Sequence, residues 1–220
     1  TDDKLDPIFL LKRAKWYKDN AIILKLGIEA LEINIKTNSL SLSVGDHLTF
    51  DKLVLATGAR PRPLPGCKEL VNAFVLRQPD DAIAIRETAR KVKRAVIVGG
   101  GYIGLEVAAS FRQMGLEVSV IEAANRLLAR VASPPVAHSL LNLHQKHGVS
   151  IHTGISVEEF ISEQQQFLAV KLTDGSIIEG DMLVIGIGVS PDSLLAQKAN
   201  LETEDPDGGA IIVDESMQTS

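Results

Sequence analysis

The sequence predicts an α/β protein built on a parallel β-sheet, and three features of the chain support that prediction. Between residues 95 and 185, short apolar runs rich in β-branched residues alternate with helical patterns. The runs at 53–56 and Met182–Ile185 are apolar throughout, which is typical of strands covered on both faces. A glycine-rich turn also connects one strand directly to a helix. Strands that alternate with helices in this way favour parallel pairing, with the helices packed on the sheet.

The glycine-rich turn is the strongest local signal in the chain. Gly99, Gly101 and Gly104 have the spacing G-x-G-x-x-G between the β-branched run at 95–98 and an alanine-rich helical stretch. This strand–turn–helix context is the one that a dinucleotide fingerprint requires. The first glycine allows a tight turn, the second lets the backbone approach a pyrophosphate, and the third lets helix and strand pack closely. The pyrophosphate would then lie at the helix N-terminus. The alternative is a glycine-rich turn that only packs.

An acidic residue at the end of the next strand indicates which dinucleotide is bound. The strand Glu117–Glu122 ends 18 residues after Gly104, where Glu122 is placed to accept both hydroxyls of an adenosine ribose. A carboxylate here repels a 2′-phosphate, so the sequence favours NADH over NADPH. Arg126 follows four residues later and could offset part of that repulsion, which leaves NADPH open.

The remaining elements follow from periodicity and from turn residues such as Gly45-Asp46 and Asp174-Gly175. The expected strands are 22–24, 30–35, 40–44, 47–50, 53–56, 95–98, Glu117–Glu122, 149–152, 157–161, 168–172, 177–178, Met182–Ile185 and 210–213. The expected helices are 79–94, 102–114, 134–147 and 193–199. Residues 1–20 are expected to be irregular or briefly helical, and the proline-rich stretch 59–66 is expected to be an irregular connection between domains.

Composition excludes several classes of function. The 220 residues are 45% hydrophobic and carry a net charge of −5, and their basic residues cluster only at 91–94, which argues against a nucleic-acid partner. No apolar run approaches the roughly 20 residues of a membrane span, so no span and a cytoplasmic location are expected. Cys67 is the only cysteine, which excludes a disulfide within these residues. No metal site is expected, because four of the histidines are spaced too irregularly to form one: His138, His144, His147 and His152.

An internal repeat indicates a second nucleotide-binding half. Residues 44–61 align with 174–191 at a constant offset of 130, each copy running from a hairpin through an apolar strand to a glycine turn and a proline. The matched pairs are Asp51 with Asp181, Gly58 with Gly188, and Pro61 with Pro191. Gly99 lies 82 residues before Asp181, and the same spacing from Asp51 falls before residue 1. The chain is therefore expected to be a fragment that contains one complete dinucleotide-binding domain and part of another.

Two such halves in tandem resemble the two-dinucleotide-binding flavoproteins of the pyridine nucleotide-disulfide oxidoreductase family. The resemblance rests on Ala-Thr-Gly at 56–58 and on the segment 99–106, and the segments 60–66 and 120–130 are similar to the ferredoxin/rubredoxin reductase branch. It implies a Rossmann-like NAD-binding domain, with a parallel sheet and a three-stranded antiparallel β-meander, inserted in a partial FAD-binding domain. The implied boundaries are 1–66 and 201–220 for the FAD-binding part and 67–200 for the NAD(P)H-binding domain.

The resemblance also implies a reaction and a set of site residues. In that family a hydride passes from NADH to FAD, and electrons then leave one at a time to an iron–sulfur acceptor such as ferredoxin or rubredoxin. Glu106 would face the carboxamide side of the nicotinamide, and Tyr102 would lie between the pocket and the flavin. The residues expected to contact FAD are Ala30, Ala56, Thr57, Gly58 and Arg60. Those expected to hold NAD are Gly99, Gly101, Ile103, Gly104, Glu122 and Gly188.

Several alternatives stay open. Arg60 would otherwise be a solvated loop charge, Tyr102 a packing residue and Glu106 a surface acid, although an acid in a buried first helical turn would need a partner. The whole protein would otherwise be a relative of the NADH oxidases, peroxidases or nitrite reductases, or a nucleotide-responsive interaction protein without turnover. The fragment alone is expected to bind NADH weakly or moderately and to be inactive without its flavin.

Overall fold

The computed structural model describes residues 10–205 and 209–220, which form two compact units. The first consists of the described residues up to Arg60 and from Ser190 onward, and the second of Pro61–Val189. The helices are α1 (Ala14–Asp19), α2 (Pro79–Ala89), α3 (Tyr102–Gln113), α4 (Pro134–Lys146) and α5 (Leu194–Lys198). The strands are β1 (Ala30–Asn34), β2 (Ser39–Leu42), β3 (His47–Thr49), β4 (Ala59–Pro61), β5 (Ala73–Val75), β6 (Arg94–Val98), β7 (Glu117–Glu122), β8 (Val149–Thr153), β9 (Val157–Glu163), β10 (Gln166–Leu172), β11 (Ile177–Glu179), β12 (Met182–Ile185) and β13 (Val189–Pro191).

A five-stranded parallel sheet forms the centre of the second unit, in the order β5-β12-β6-β7-β8. Val98 at the end of β6 lies between Ile185 of β12 and Ile121 of β7. Every residue of β12 is buried, and so are the last four of β6. Apolar side chains cover both faces of these strands, which explains why their sequences are continuously apolar rather than alternating.

Different elements cover the two faces of this sheet. On one face, residues of α2 and α3, including Ile85, Ala108 and Phe111, form a buried cluster with β6, β7 and β12. On the other face, Phe167 and Val170 of the antiparallel meander β9-β10-β11 form a second cluster with the same sheet. The predicted fold class, a parallel sheet with a three-stranded meander, is confirmed.

Helix α2 ends earlier than its sequence pattern predicts. It begins with a capping box, in which Asp81 accepts the backbone N–H of Gln78 at 2.7 Å, and it ends at Ala89 rather than at residue 94. The backbone N–H groups of Lys93 and Arg94 instead donate to the Asp181 carboxylate at 3.0 and 2.9 Å. Since these N–H groups are held by Asp181, the basic run turns away from the helix and enters β6.

The first unit contains the antiparallel sheet β1-β2-β3, as predicted from alternation and the Gly45 turn. Gly45 has φ +85°, a conformation that glycine adopts without a steric penalty. Ile33 and Leu42 are buried in this sheet, and α5 packs against β1. Helix α1 accounts for part of the expected lead-in, and residues 1–9 lie outside the described residues.

Three predicted strands of this unit are wrong. Residues 22–24, 53–56 and 210–213 are not strands, although isolated bridges join Ile211 to Thr203 and Val213 to Thr219. A strand exists only through hydrogen bonds to a neighbour, and no described residue forms a ladder with these runs. Val54, expected to be covered on both faces, is 85% exposed.

Short strands also appear where the sequence predicts none. Residues 59–61, expected to be irregular, form β4, which pairs with β13. At the edge of the parallel sheet, β5 follows Asn72, whose side-chain amide donates to the carbonyl groups of Asp181 and Phe167. The N–H of Phe167 donates back to the Asn72 side chain at 2.7 Å. In the part of the chain described here, no helix is long and apolar enough to cross a membrane.

Candidate dinucleotide-binding site

The turn after β6 requires glycine at its first position. Gly99 has φ +115°, and its N–H donates to the carbonyl of Ile121 at 2.8 Å. A Cβ on Gly99 would come within 2.4 Å of the Gly186 carbonyl oxygen. Conformation and close approach to the turn after β12 therefore both exclude a larger residue here.

The third glycine of the motif lets α3 pack against this turn. Gly104 is buried in the first turn of α3, and a Cβ there would lie 2.0 Å from the carbonyl oxygen of Gly99. No small movement relieves a backbone contact of that kind. The absence of a side chain at Gly104 therefore allows the first turn of α3 to pack directly against the end of β6.

The second glycine faces open space at the start of α3. Gly101 is the N-cap residue, and no described atom lies within 4 Å of the position its Cβ would occupy. Within the described residues, no side chain caps α3, and its first turn carries no acidic residue. The unpaired N–H groups and the positive end of the helix dipole thus point to an uncrowded region, as a pyrophosphate requires. The neighbouring Tyr102 and Ile103 are exposed.

The carboxylate of Glu122 is bound to the same turn. Its Oε2 accepts the backbone N–H of Gly100 at 2.6 Å, and its Oε1 accepts the N–H of Ala124 at 2.7 Å. An ionised carboxylate has about four acceptor positions, so roughly two remain for other donors. The two hydroxyl groups of a ribose are donors of this kind, and the donor set therefore fits NAD.

The loop after β7 lies against Gly100. The carbonyl of Gly100 accepts the N–H of Leu128 at 3.0 Å, and Leu127 is almost completely buried. A Cβ on Gly100 would lie 2.6 Å from Cδ2 of Leu127. The guanidinium group of Arg126 donates to backbone carbonyl groups of this loop, at 2.7 Å to Ala129 and 2.9 Å to Ala132. Arg126 is thus engaged by protein acceptors rather than left free to pair with a 2′-phosphate.

An arginine to which the sequence assigned no role lies beside the turn that follows β12. Gly188 has φ +106°, and its carbonyl accepts the N–H of Arg62 at 3.0 Å. The nearest atom to a Cβ built on Gly188 is Nη2 of Arg130, at 3.4 Å. Arg130 is exposed, so the structure places a cation next to a residue predicted to hold NAD. The only signal in the sequence is a second arginine four residues after Arg126.

The expected burial of Glu106 is wrong. Helix α3 turns its buried face, with Leu105, Val107, Ala108 and Phe111, toward the sheet, and Glu106 lies on the exposed side. Its carboxylate therefore has no need of a buried partner. Tyr102 is 57% exposed, whereas a tyrosine that served only to pack would be largely buried. Their catalytic roles stay predictions.

Residues expected to contact FAD lie in the first unit, where several of them contact Asp192. The Asp192 carboxylate pairs with Nε of Arg60 at 2.7 Å, and its N–H donates to the carbonyl of Gly58 at 2.9 Å. The hydroxyl of Thr57 donates to the Asp192 carbonyl. Arg60 is thus paired rather than simply solvated. The flavin role predicted from the resemblance stays a prediction for Arg60, Ala30, Ala56, Thr57 and Gly58.

Neither a metal nor a reactive thiol is indicated. Within residues 10–205 and 209–220, no group of three His, Cys, Asp or Glu side chains is arranged to hold a metal ion. Burial raises the pKa of Cys67, whose Sγ donates to the carbonyl of Leu64 at 2.8 Å. Burial, followed by the nearby His147, lowers the pKa of His144.

Comparisons with known proteins agree with this geometry. A family model described as pyridine nucleotide-disulphide oxidoreductase matches residues 6–220. Putidaredoxin reductase of Pseudomonas putida is 40% identical over 200 residues, which cover 88% of this chain and 46% of that protein. A ferredoxin reductase from Rhodopseudomonas palustris superimposes with a TM-score of 0.92 at 35% identity, over 97% of this chain and 52% of the other.

A second solved structure, the covalent complex of putidaredoxin reductase with putidaredoxin, superimposes with a TM-score of 0.91 at 36% identity. That match covers 99% of this chain and 53% of the other. The chain thus spans about half the length of the relatives it matches. Because the family model matches almost the whole sequence and the glycine turn has the geometry of a nucleotide site, the chain belongs to the pyridine nucleotide-disulphide oxidoreductase family.

Proposed function

We propose that this chain carries the NADH-binding site of a flavoprotein reductase, which passes electrons from NADH through FAD to an iron–sulfur protein such as a ferredoxin or rubredoxin. One observation carries the nucleotide part of the proposal. The Glu122 carboxylate is held by the N–H of Gly100, directly beside the open N-terminus of α3 at Gly101. A single dinucleotide can therefore place its pyrophosphate on the helix and its adenosine ribose on the acid.

The charges around this site favour NADH over NADPH. A 2′-phosphate would lie against the Glu122 carboxylate, where like charges repel. Arg126, the cation that could have offset this repulsion, donates instead to loop carbonyl groups. Arg130, whose Nη2 lies 3.4 Å from a Cβ built on Gly188, adds a positive charge beside a residue proposed to hold NAD.

The names of the relatives support the electron-transfer part of the proposal. Putidaredoxin reductase and a ferredoxin reductase are among the most similar proteins, and one matching structure is a covalent complex of the former with putidaredoxin. Bound FAD supplies the redox chemistry in a protein of this kind, whereas the protein binds and orients the nucleotide. Glu106 is proposed to face the carboxamide side of the nicotinamide, and Tyr102 is proposed to lie between the nucleotide pocket and the flavin. Both side chains are exposed and therefore accessible to a ligand.

The proposed domain organisation follows the sequence. Residues 67–200 form the NADH-binding domain, and residues 1–66 and 201–220 belong to an FAD-binding domain. The compact unit Pro61–Val189, which contains the entire parallel sheet, supports most of this assignment. Residues 190–200 differ, because they lie in the first unit, where α5 packs against β1.

Calorimetric titration of the chain with NADH and with NADPH tests the nucleotide site. We expect tighter binding of NADH, and we expect Glu122→Ala to weaken NADH binding and to reduce its advantage over NADPH. Glu117→Ala is the matched control, because Glu117 is an exposed acid at the other end of β7. An unchanged ratio of the two affinities in Glu122→Ala would contradict the assignment.

A second experiment tests electron transfer in the full-length protein. NADH is expected to reduce its flavin rapidly, and cytochrome c is expected to be reduced only after a ferredoxin has been added. Nucleotide binding without flavin reduction would favour an interaction protein that does not turn over. Rapid flavin oxidation by oxygen or peroxide without ferredoxin would favour the oxidase or peroxidase alternative.

A further inference from the structure

We infer that Arg126 is a positioning residue for the dinucleotide site, which holds the loop 127–132 against Gly100 and does not bind a 2′-phosphate. The inference rests on the proposed NADH-binding function. It concerns a residue whose sequence position, four after Glu122, otherwise indicates a phosphate ligand.

The hydrogen bonds of Arg126 account for both of its terminal nitrogens. Nη2 donates to the carbonyl of Ala129 at 2.7 Å, and Nη1 donates to that of Ala132 at 2.9 Å. Nη1 also lies 3.4 Å from the carbonyl oxygens of Leu127 and Leu128. Four carbonyl groups of one short loop thus converge on a single planar guanidinium. A lysine has no such fork of donors and could not bind them all at once.

The loop needs such a tether because its backbone is strained. Leu128 has φ +50°, in the left-handed region that non-glycine residues rarely adopt. Such a conformation persists only where the surrounding contacts enforce it. The Leu128 carbonyl accepts the N–H groups of Val131 and Ala132 at 3.0 Å each, and Arg126 lies against the same carbonyl.

The strained residue is also the one that contacts the nucleotide-binding turn. Leu128 donates its N–H to the carbonyl of Gly100, while Gly100 donates its own N–H to Glu122. Both backbone polar groups of Gly100 are therefore held from outside the turn, one by the acid and one by the loop. Release of the loop would free the Gly100 carbonyl and uncover the side on which Leu127 packs.

This arrangement predicts how substitutions of Arg126 change affinity. The charge of Arg126 is directed at carbonyl groups of the protein, so Arg126→Gln should weaken the binding of NADH and of NADPH by the same factor. That factor should be about tenfold, which is the change in affinity expected when one hydrogen bond to a charged group is lost. Arg126→Lys keeps the charge but not the fork, so it should not restore wild-type affinity. Arg86→Gln, which removes an exposed arginine of α2, is the matched control.

Calorimetric titration of the wild-type chain and these variants with both nucleotides is the first test. Equal losses for NADH and NADPH in Arg126→Gln, without rescue by lysine, support the inference. A loss confined to NADPH, full rescue by lysine, or affinities equal to those of the control would overturn it.

Limited trypsin digestion is a second test that does not depend on nucleotide binding. The bond between Arg130 and Val131 lies in the tethered loop, and its cleavage can be followed by mass spectrometry. In Arg126→Gln this bond should be cut at least about tenfold faster than in the Arg86→Gln control while the melting temperature changes little. Equal cleavage rates would overturn the tethering role. If the wild-type chain binds neither nucleotide, the proposed function fails, and the digestion still decides whether Arg126 holds the loop.

Discussion

The Glu122 carboxylate accepts the backbone N–H of Gly100 at 2.6 Å, so the acid that ends β7 and the glycine-rich turn after β6 form one structural unit. In sequence terms these are two separate parts of a fingerprint, 22 residues apart. In the fold, the residue proposed to select the nucleotide also shapes the turn that would bind it. Changes at Glu122 are therefore expected to alter both stability and selectivity.

Glu122→Gln is predicted to destabilise the chain. The glutamate accepts N–H groups with both oxygens, from Gly100 and Ala124, whereas a glutamine would face one of them with its own NH₂ group. An N–H that loses its partner in this half-buried site costs about 1–3 kcal/mol. Urea denaturation measures the difference, and Glu117→Gln should stay within about 0.5 kcal/mol of wild type. Equal stability of the two variants would contradict the structural role.

Alanine is predicted to impair mainly folding at the third glycine of the turn and mainly nucleotide binding at the second. Gly104→Ala places a Cβ 2.0 Å from the Gly99 carbonyl oxygen, so it should cost about 3 kcal/mol of folding free energy. Gly101→Ala meets no described atom within 4 Å and should cost about 1 kcal/mol or less. It should nevertheless weaken NADH binding about tenfold, because its methyl group occupies the space proposed for the pyrophosphate.

Thermal denaturation and NADH titration of the two glycine variants check this pair of predictions. Wild-type NADH affinity in Gly101→Ala would remove the pyrophosphate from that space. A fully stable Gly104→Ala would show that α3 can move away from the turn.

The loss of folding stability at low pH is predicted to depend on Asp181. Burial alone would raise the pKa of this carboxyl, but hydrogen bonds from the Arg94 side chain and from the backbone N–H groups of Arg94 and Lys93 outweigh it, and the net pKa is lowered. Its contribution is thus fully present above the unfolded pKa of about 4 and is lost as the pH falls through the lower folded pKa. Asp181→Asn should lower the free energy of unfolding at pH 7. The variant should then lose less of its remaining stability than wild type as the pH falls from about 5 to 2.

Urea denaturation at several pH values between 7 and 2 measures the Asp181 effect. Asp51→Asn, at the counterpart position of the internal repeat, controls for the removal of one exposed carboxylate. If the free energy of unfolding of Asp181→Asn fell as steeply with decreasing pH as that of wild type, the prediction would be contradicted.

The ion pair between Arg60 and Asp192 is predicted to contribute little. The Arg60 side chain is 68% exposed, and water screens pairs of this kind, so a double-mutant cycle should give a coupling energy of about 1 kcal/mol or less. The cycle compares Arg60→Ala, Asp192→Ala and the double variant by urea denaturation. A much larger coupling would show that the pair, rather than the backbone bond from Asp192 to Gly58, holds this segment.

Much of the second unit was predictable because its signals are local. The bounds of β7 follow from a β-branched run that ends in an acid, and α4 from a serine, two prolines and a closing glycine. The hairpin at Gly175, like the one at Gly45 in the first unit, follows from turn residues that tolerate positive φ. In each case neighbouring residues alone carry the preference, so pattern and structure agree.

The errors arise where the partner is distant in sequence. The run 53–56 has the composition of a buried strand but pairs with no described strand, and α2 ends where Asp181, about 90 residues away, takes the N–H groups of its expected last turn. The short edge strand β5 depends on hydrogen bonds from Asn72 to residues more than 90 positions further along. Periodicity contains no information about such contacts.

By itself the sequence determined the α/β fold class, the glycine-rich turn at 99–104 and the presence of an acid, Glu122, at the end of the next strand. Each of these depends on a local pattern of size, polarity and spacing. Only the tertiary structure decided that Glu122 binds Gly100, that Arg126 donates to carbonyl groups of the loop 127–132, and that Glu106 is exposed. These outcomes depend on which hydrogen-bond partners and which covering surfaces the fold brings to each side chain. The same arginine is a phosphate ligand or a loop tether according to the acceptors that surround it.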